Sequence, residues 1–136
     1  MPLRLAELEI VCFNPQEHDV SSFDCGDSDL NDFLKNDAAR YQDEHLSHTR
    51  LVFHKGGLIA YITLLTDCIV LKTPEKKRAL KELRSLHQHL PSFPALKIGR
   101  VAVRNDLQHS GIGTELLKYS VALVVRMNRE LNIGCR

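Results

Sequence analysis

At 136 residues the chain is long enough for one domain with its own core, because a domain near that size buries roughly two-thirds of its unfolded surface. A hydrophobic fraction of 43% is ordinary for a globular protein, 26% charged residues argue against both disorder and a membrane span, and no apolar run approaches the ~20 residues a bilayer requires. The balance of 18 basic and 17 acidic side chains, +1 overall, gives no general electrostatic case for a nucleic-acid or membrane partner.

No basic stretch followed by an apolar run opens the chain, so no signal peptide is expected. The cysteines Cys12, Cys25, Cys68 and Cys135 are scattered, which fits reduced thiols in a cytoplasm better than a disulfide framework or a zinc knuckle. There is no internal repeat, low-complexity segment or Gly/Ser linker, and a single domain over residues 1–136 is expected.

In chain order, Arg4 to Val11 alternates enough to suggest a first strand. Asp24 to Asp29 signal a turn around Gly26, and Asp27 or Ser28 can cap the helix that follows. In that helix Leu30, Phe33, Leu34, Ala38 and Tyr41 recur on one side. Thr49 to Phe53 and Leu58 to Leu65 read as strands joined through Lys55-Gly56-Gly57, where Gly-Gly can supply the positive φ of a tight hairpin, and Ile69 to Leu71 extends or follows the second. Pro74 to Leu90 is helical in pattern, with Pro91 and Pro94 ending it. Ala95 to Val103 is apolar apart from Lys97 and Arg100, as for a central strand. A turn over Arg104 to Ser110 precedes a long helix, about Gly111 to Glu130, with a buried stripe of Leu116, Leu117, Ser120, Val121, Val124 and Val125. Residues Ile133 to Arg136 resemble the entry to another strand.

The chemistry concentrates where the strand Gly99-Arg100-Val101-Ala102-Val103 feeds Gln108-His109-Ser110-Gly111-Ile112-Gly113-Thr114 and then a helix. First-turn N–H groups of a helix lack intrahelical acceptors, and the helix dipole adds partial positive charge there. Together with glycines that let a bulky anion approach the main chain, this is a backbone cradle for a diphosphate. A P-loop would need a lysine before Thr114, and a dinucleotide fingerprint would need a third glycine in register. The bland alternative is a helix that happens to begin with glycines.

Gln108-x-x-Gly111-x-Gly113 resembles the (Arg/Gln)-x-x-Gly-x-(Gly/Ala) signature of GNAT N-acetyltransferases, at the junction of the fourth strand and the long third helix. Phe23-x-Cys25-Gly26, Leu30-Asn31-x-Phe33-Leu34, Ala38, and Pro91-x-x-Pro94 before Ile98 to Val103 are similar to a bacterial and archaeal branch of that family. That branch includes acetyltransferase toxins of toxin–antitoxin pairs, and the resemblance covers nearly the whole chain. It implies an α+β fold with a mixed, mostly antiparallel sheet flanked by helices. It also implies acetyl-CoA as co-substrate and transfer of the acetyl group to a primary amine on a small molecule, a protein or aminoacyl-tRNA.

Carried over residue by residue, backbone groups of the segment Val101-Ala102-Val103 (those of Val101 and Val103 above all) would bond the pantetheine arm. The N–H groups of His109, Ser110, Gly111, Ile112, Gly113 and Thr114 would hold the diphosphate, and Gln108 would secure the loop. The family continues with a fifth strand, a fourth helix that often carries a proton-donating tyrosine, and further strands. This sequence stops at Arg136 and has no glutamate on its fourth strand, so no catalytic residue is assigned and the chain is expected to be incomplete and nearly inactive. An unpaired fourth-strand edge and an uncovered helix stripe would favour self-association. A small antitoxin is a further expected partner of the toxin-type reading, and a non-catalytic CoA-binding module is the reading from another class.

The implied reaction is attack of a neutral amine on a thioester. An α-amine near pKa 8 is roughly a tenth neutral at pH 7, whereas a lysine near 10.4 is less than about a thousandth neutral. A site without a strong base therefore suits an α-amine.

The weaker signals have bland readings. His45-x-x-His48 suits solvent-facing imidazoles better than a metal site, there being no third ligand motif. Cys25 and Cys68 read as buried small hydrophobes. The six basic side chains between Lys72 and Leu90 read as a solvated face, or as a patch for charged tRNA. The five aspartates from Asp24 to Asp37 cap and solubilise the helix, or repel polyanions.

Overall fold

The computed structural model describes residues 3–70 and 92–136. The expected helix over 74–90, Pro91 and the basic stretch from Lys72 to Leu90 lie outside the described residues.

Among the described residues, four antiparallel strands form one sheet in the order β1-β2-β3-β4. They are β1 (Glu9–Cys12), β2 (His48–His54), β3 (Gly57–Val70) and β4 (Ser92–Val103). The β2–β3 hairpin turns through Lys55 and Gly56, with φ of 51° and 80°. Two consecutive positive φ values are the signature of a type I′ turn, whose twist matches that of paired strands. The positive φ thus falls on Lys55-Gly56, and Gly57 already belongs to β3. The segment Leu58–Leu65 and the proposed extension at Ile69 are one continuous strand.

Pro94 does not terminate a helix. It is the third residue of β4, on the exposed side, opposite Cys68. Such a place suits a residue that cannot donate to a ladder. Strand β4 is also not central among the described strands, because it pairs with β3 alone along its length.

Helical structure between β1 and β2 runs as α1 (Ser28–Asp32), a π-helical turn (Phe33–Asp37) and α2 (Ala38–Asp43). Asp27 is the cap: its carboxylate accepts from the N–H groups of Asp29 and Leu30 at 2.9 and 3.2 Å. The π turn inserts one residue, so that Ala38 N–H donates to Phe33 O. Phe33, Leu34 and Ala38 consequently share one buried face, against Phe13, Phe23, Leu51, Tyr61 and Ala102 of the sheet side.

The last helix, α3 (Ile112–Arg129), packs on the opposite face, where Ile112 and Leu116 meet Val52, Ala60, Ile62 and Leu64. Its buried stripe is Ile112, Leu116 and Ser120, continued by the half-buried Leu123 and Met127. Leu117, Val121 and Val125, expected in that stripe, are 56%, 58% and 43% exposed. The i, i+4 progression fixed which residues share a face, but both faces of this helix carry apolar residues, so periodicity alone could not choose between them.

Candidate functional site

The region begins at a bulge in β4. Register with β3 passes from Leu64↔Ile98 to Thr63↔Arg100, leaving Gly99 as the extra residue. A Cβ on Gly99 would sit 2.9 Å from Thr63 Oγ1, which is why only glycine fits there. The bulge changes which residues of β4 turn their main chain toward β3.

Beyond it, Arg104 N–H donates to Ile59 O at 2.7 Å. Hydrogen-bonded and non-bonded pairs alternate along an antiparallel ladder. Ala102 is then bonded to Tyr61, while Val101 and Val103, opposite Ile62 and Ala60, turn their N–H and C=O groups to the outer edge. Below the bulge, among the described residues, that outer edge meets Arg136. Arg136 N–H donates to Pro94 O at 3.1 Å and Leu96 N–H donates to Arg136 O at 2.7 Å. This pair of bonds about Ala95 has the form of a single parallel bridge, but Ile133 to Arg136 form no strand and Ile133 N–H bonds back to Met127 O, so the expected strand entry is not seen among the described residues.

After β4 a 3-10 turn (Asn105–Leu107) leads to the loop before α3. His109 and Gly111 adopt φ of 69° and 87°. These left-handed residues fold the chain back so that successive N–H groups converge, as in an anion nest. Gly111 is the N-cap of α3, with no side chain capping the helix, and Glu115 N–H to Gly111 O at 3.1 Å is the first intrahelical bond. The N–H groups of Ile112, Gly113 and Thr114 therefore lack intrahelical acceptors. Ile112 anchors this turn, 1% exposed in the core, while Gly111, Gly113 and Thr114 are open to solvent. A Cβ on Gly113 would meet nothing within 4 Å. The space above Gly113 is therefore open, and a side chain there would fill the cradle.

The loop is held from several sides. Gln108 Nε2 donates to Cys25 O at 2.6 Å and to Val103 O at 3.2 Å. Leu3 N–H donates to Ser110 O at 3.1 Å, and Ser110 Oγ donates to Leu107 O. The turn at Cys25 is itself braced, since Asn31 Oδ1 accepts from Cys25 N–H at 2.9 Å and Asn31 Nδ2 donates to Asp24 Oδ1 at 2.9 Å. Those two bonds to Asp24, from Gly26 N–H and Asn31, hold its carboxyl below the usual range. Asn105 N–H donates to Asp24 O at 2.9 Å, and Gly26, at φ 87°, lets the two turns touch.

Arg104 is held by Asp106 in a fork of 2.7 and 3.1 Å, which raises the guanidinium pKa further and lowers the carboxyl pKa. The cradle itself is main chain. Its N–H groups, the outward edge of β4 and the opening over Gly113 fit a diphosphate with an extended, amide-bearing arm, which is the chemistry of acyl-CoA.

Elsewhere the structure corrects or places the weaker signals. Cys25 is buried but Cys68 is exposed, and all the cysteines are free. His45 and His48 are exposed and stacked, ring centroids 6.0 Å apart, and no cluster of three potential ligands for a metal ion occurs among the described residues. No helix among the described residues is long and apolar enough to cross a membrane.

Sequence reasoning missed Tyr61. It is wholly buried, its hydroxyl donates to Leu30 O at 2.6 Å, and burial pushes its phenol pKa up. It lies inside the expected strand Leu58 to Leu65, whose near-continuous apolar run gave no hint of the hydrogen bond.

No family model and no curated protein sequence matches the chain. Solved structures do. A mutant of KacT superposes with a TM-score of 0.72 at 22% identity, over 93% of this chain and 74% of that one. AtaT complexed with acetyl-methionyl-tRNAfMet gives 0.73 at 22% identity, again over 93% and 74%. AtaTR bound with AcCoA gives 0.71 at 22% identity, over 96% and 74%. The chain has the GNAT-like α+β fold of these proteins.

Proposed function

We propose that this chain is an N-acetyltransferase domain of the GNAT type, which takes acetyl-CoA and acetylates a primary amine. The observation that carries this reading is the junction of two backbone features. The N–H groups of Ile112, Gly113 and Thr114 open at the end of β4 whose outward edge is presented by Val101 and Val103. The fold shared with AtaTR bound with AcCoA supports it.

The loop from His109 to Thr114 would bind the diphosphate, with Gln108 fixing the loop against Cys25 and Val103. Val101, Ala102 and Val103 would present the edge to which the pantetheine arm adds like a strand. The thioester then reaches the Gly99 bulge, where a strand N–H freed from the ladder can donate to the developing oxyanion. The amine must arrive neutral. With no general base assigned, an α-amine near pKa 8 is a better acceptor than a lysine near 10.4.

AtaT complexed with acetyl-methionyl-tRNAfMet, and AtaT bound to the C-terminus of the antitoxin AtaR, favour a narrower form of the proposal. In that form the acceptor is the α-amine of aminoacyl-tRNA, the partner is a small antitoxin, and the setting is the cytoplasm. A second copy of the chain is a further proposed partner, because α3 leaves Leu117, Val121 and Val125 exposed.

Calorimetry with CoA, followed by thiol release from acetyl-CoA in the presence of α-amines, lysine-like amines and aminoacyl-tRNA, tests this. CoA binding with α-amine-dependent thiol release is expected. A chain that binds no CoA would end the proposal.

A further inference from the structure

Arg100 stands apart from the other well-placed arginines. Arg40, Arg104 and Arg126 each hold a carboxylate, from Asp37, Asp106 and Glu130. Arg100 is half-buried and engages neither a carboxylate nor any hydrogen-bond acceptor among the described residues. Its Cζ lies 3.8 Å from the ring centroid of Phe33 and 5.9 Å from that of Tyr41. The platform is firm, since Phe33 is 3% exposed and meets Tyr41 edge-on at 5.2 Å. Stacking occupies the face of a guanidinium and leaves its in-plane N–H fork free, which is the geometry that grips an oxyanion through two bonds.

A second observation lies in the same row of the sheet. Arg100 is the register partner of Thr63, and Thr63 that of Thr49. Both threonines are buried, 0% and 1% exposed, and their hydroxyls have no hydrogen-bond partner among the described residues. Buried hydroxyls are rarely left unpartnered in a finished site. A polar strip thus ends at an unpaired cation beside the bulge.

Resting on the acetyl-transfer reading, the position gains a meaning. With the diphosphate at the start of α3, the arm passes Val103 and Val101 and brings the thioester to Gly99 and Arg100. We infer that Arg100 forms an oxyanion subsite that orients the acceptor, gripping a carboxylate or phosphodiester carried close to the reacting amine. The shared chemistry is a planar oxyanion edge. A free amino acid and the terminal nucleotide of an aminoacylated RNA are its two sources. Arg100 is then a specificity residue, on the side of the sheet that carries α1 and α2.

The experiment measures binding rather than turnover, with matched acceptor pairs added to the whole chain in the presence and absence of CoA. One pair is an amino acid and its amide. The other is an aminoacyl-adenosine with and without a 5′-phosphodiester. Wild type should bind the anionic member of one pair about tenfold more tightly, the preference identifying the source. Arg100→Gln should abolish that preference while leaving CoA affinity unchanged. Arg100→Lys, which keeps the charge over Phe33 but loses the fork, should retain only part of it, and circular dichroism on both variants guards against unfolding. Equal or absent binding of both members of each pair by wild type overturns the subsite, as does a preference that survives Arg100→Gln. An anion preference without any CoA binding would instead sink the acetyl-transfer reading and leave the subsite standing.

Discussion

Gln108 reaches from the loop before α3 to the carbonyl of Cys25, and the 2.6 Å bond joins segments 83 positions apart in the chain. The same Nε2 donates to Val103 O, so one amide ties the turn before α1, the end of β4 and the cradle together. Replacing it with leucine would leave the partly buried Cys25 carbonyl without its donor. A loss of about 1–3 kcal/mol in stability is expected. CoA affinity should fall further than stability alone explains, because the loop loses its fixed conformation. Thermal melts and calorimetry on Gln108→Leu measure both, and unchanged CoA affinity would show that the loop is held by other means.

The two loop glycines should separate folding from binding. Gly111 sits at φ 87°, so Gly111→Val forces a β-branched residue into left-handed backbone, a strain of about 1–3 kcal/mol. Gly113 lies in ordinary helix with open space where its Cβ would be. Gly113→Val should therefore melt close to wild type yet bind CoA at least about tenfold more weakly, since its side chain fills the cradle. If Gly113→Val binds CoA normally, the diphosphate does not lie over this turn.

Tyr61 sets an alkaline limit on stability. Burial is the main cause of its raised phenol pKa, followed by the neighbouring Cys25 thiol, with Arg100 pulling the other way. In the unfolded chain the phenol ionises near 10, while in the fold it stays neutral. Above pH ~10 the unfolded state therefore holds fewer protons than the native state, and stability falls as pH rises. Tyr61→Phe should remove that component of the alkaline loss. At neutral pH it should cost about 0.5–1.5 kcal/mol, the net value of one hydrogen bond, because Leu30 O still accepts from the N–H of Phe33. Denaturant titrations of both proteins from pH 8 to 11 give the comparison, and parallel pH profiles would contradict it.

Local signals were legible in the sequence. The Asp27 cap, the β2–β3 hairpin and the strand–loop–helix junction at Gln108 to Thr114 each depend on a few adjacent residues with fixed backbone demands. Three things were not legible. The π turn at Phe33 shifts a face by one residue without any Gly or Pro to announce it. The face of α3 was misassigned because Leu117, Val121 and Val125 are as apolar as Leu116, so burial depended on which side met the sheet. The stacking of Arg100 on Phe33 and the reach of Gln108 to Cys25 join distant positions, and only the register of β3 with β4 brings them together.

The exposed side of α3 carries the last prediction. Leu117, Val121 and Val125 are spaced one turn apart, so they form a continuous apolar ridge pointing away from the sheet. Val101, 36% exposed, adds apolar surface at the outer edge of β4. A second copy of the chain can cover such a ridge with the same ridge of its own, in a two-fold interface. A stable dimer needs about 1,200 Å² or more of buried surface, so neighbouring residues must join the ridge in the contact. The chain should therefore dimerise with rising concentration, and the association should change little with salt because it is apolar. Leu117→Glu combined with Val121→Lys should return it to monomer without lowering its melting temperature. Pairing through the outer edge of β4 is the competing route, and CoA separates the two. A pantetheine arm on that edge would dissolve an edge-paired dimer but leave a helix-paired one intact. Sedimentation across a dilution series, with and without CoA, reads all of this. A monomer at millimolar concentration, or a dimer that the helix substitutions leave unchanged, would show that the ridge is not a contact surface.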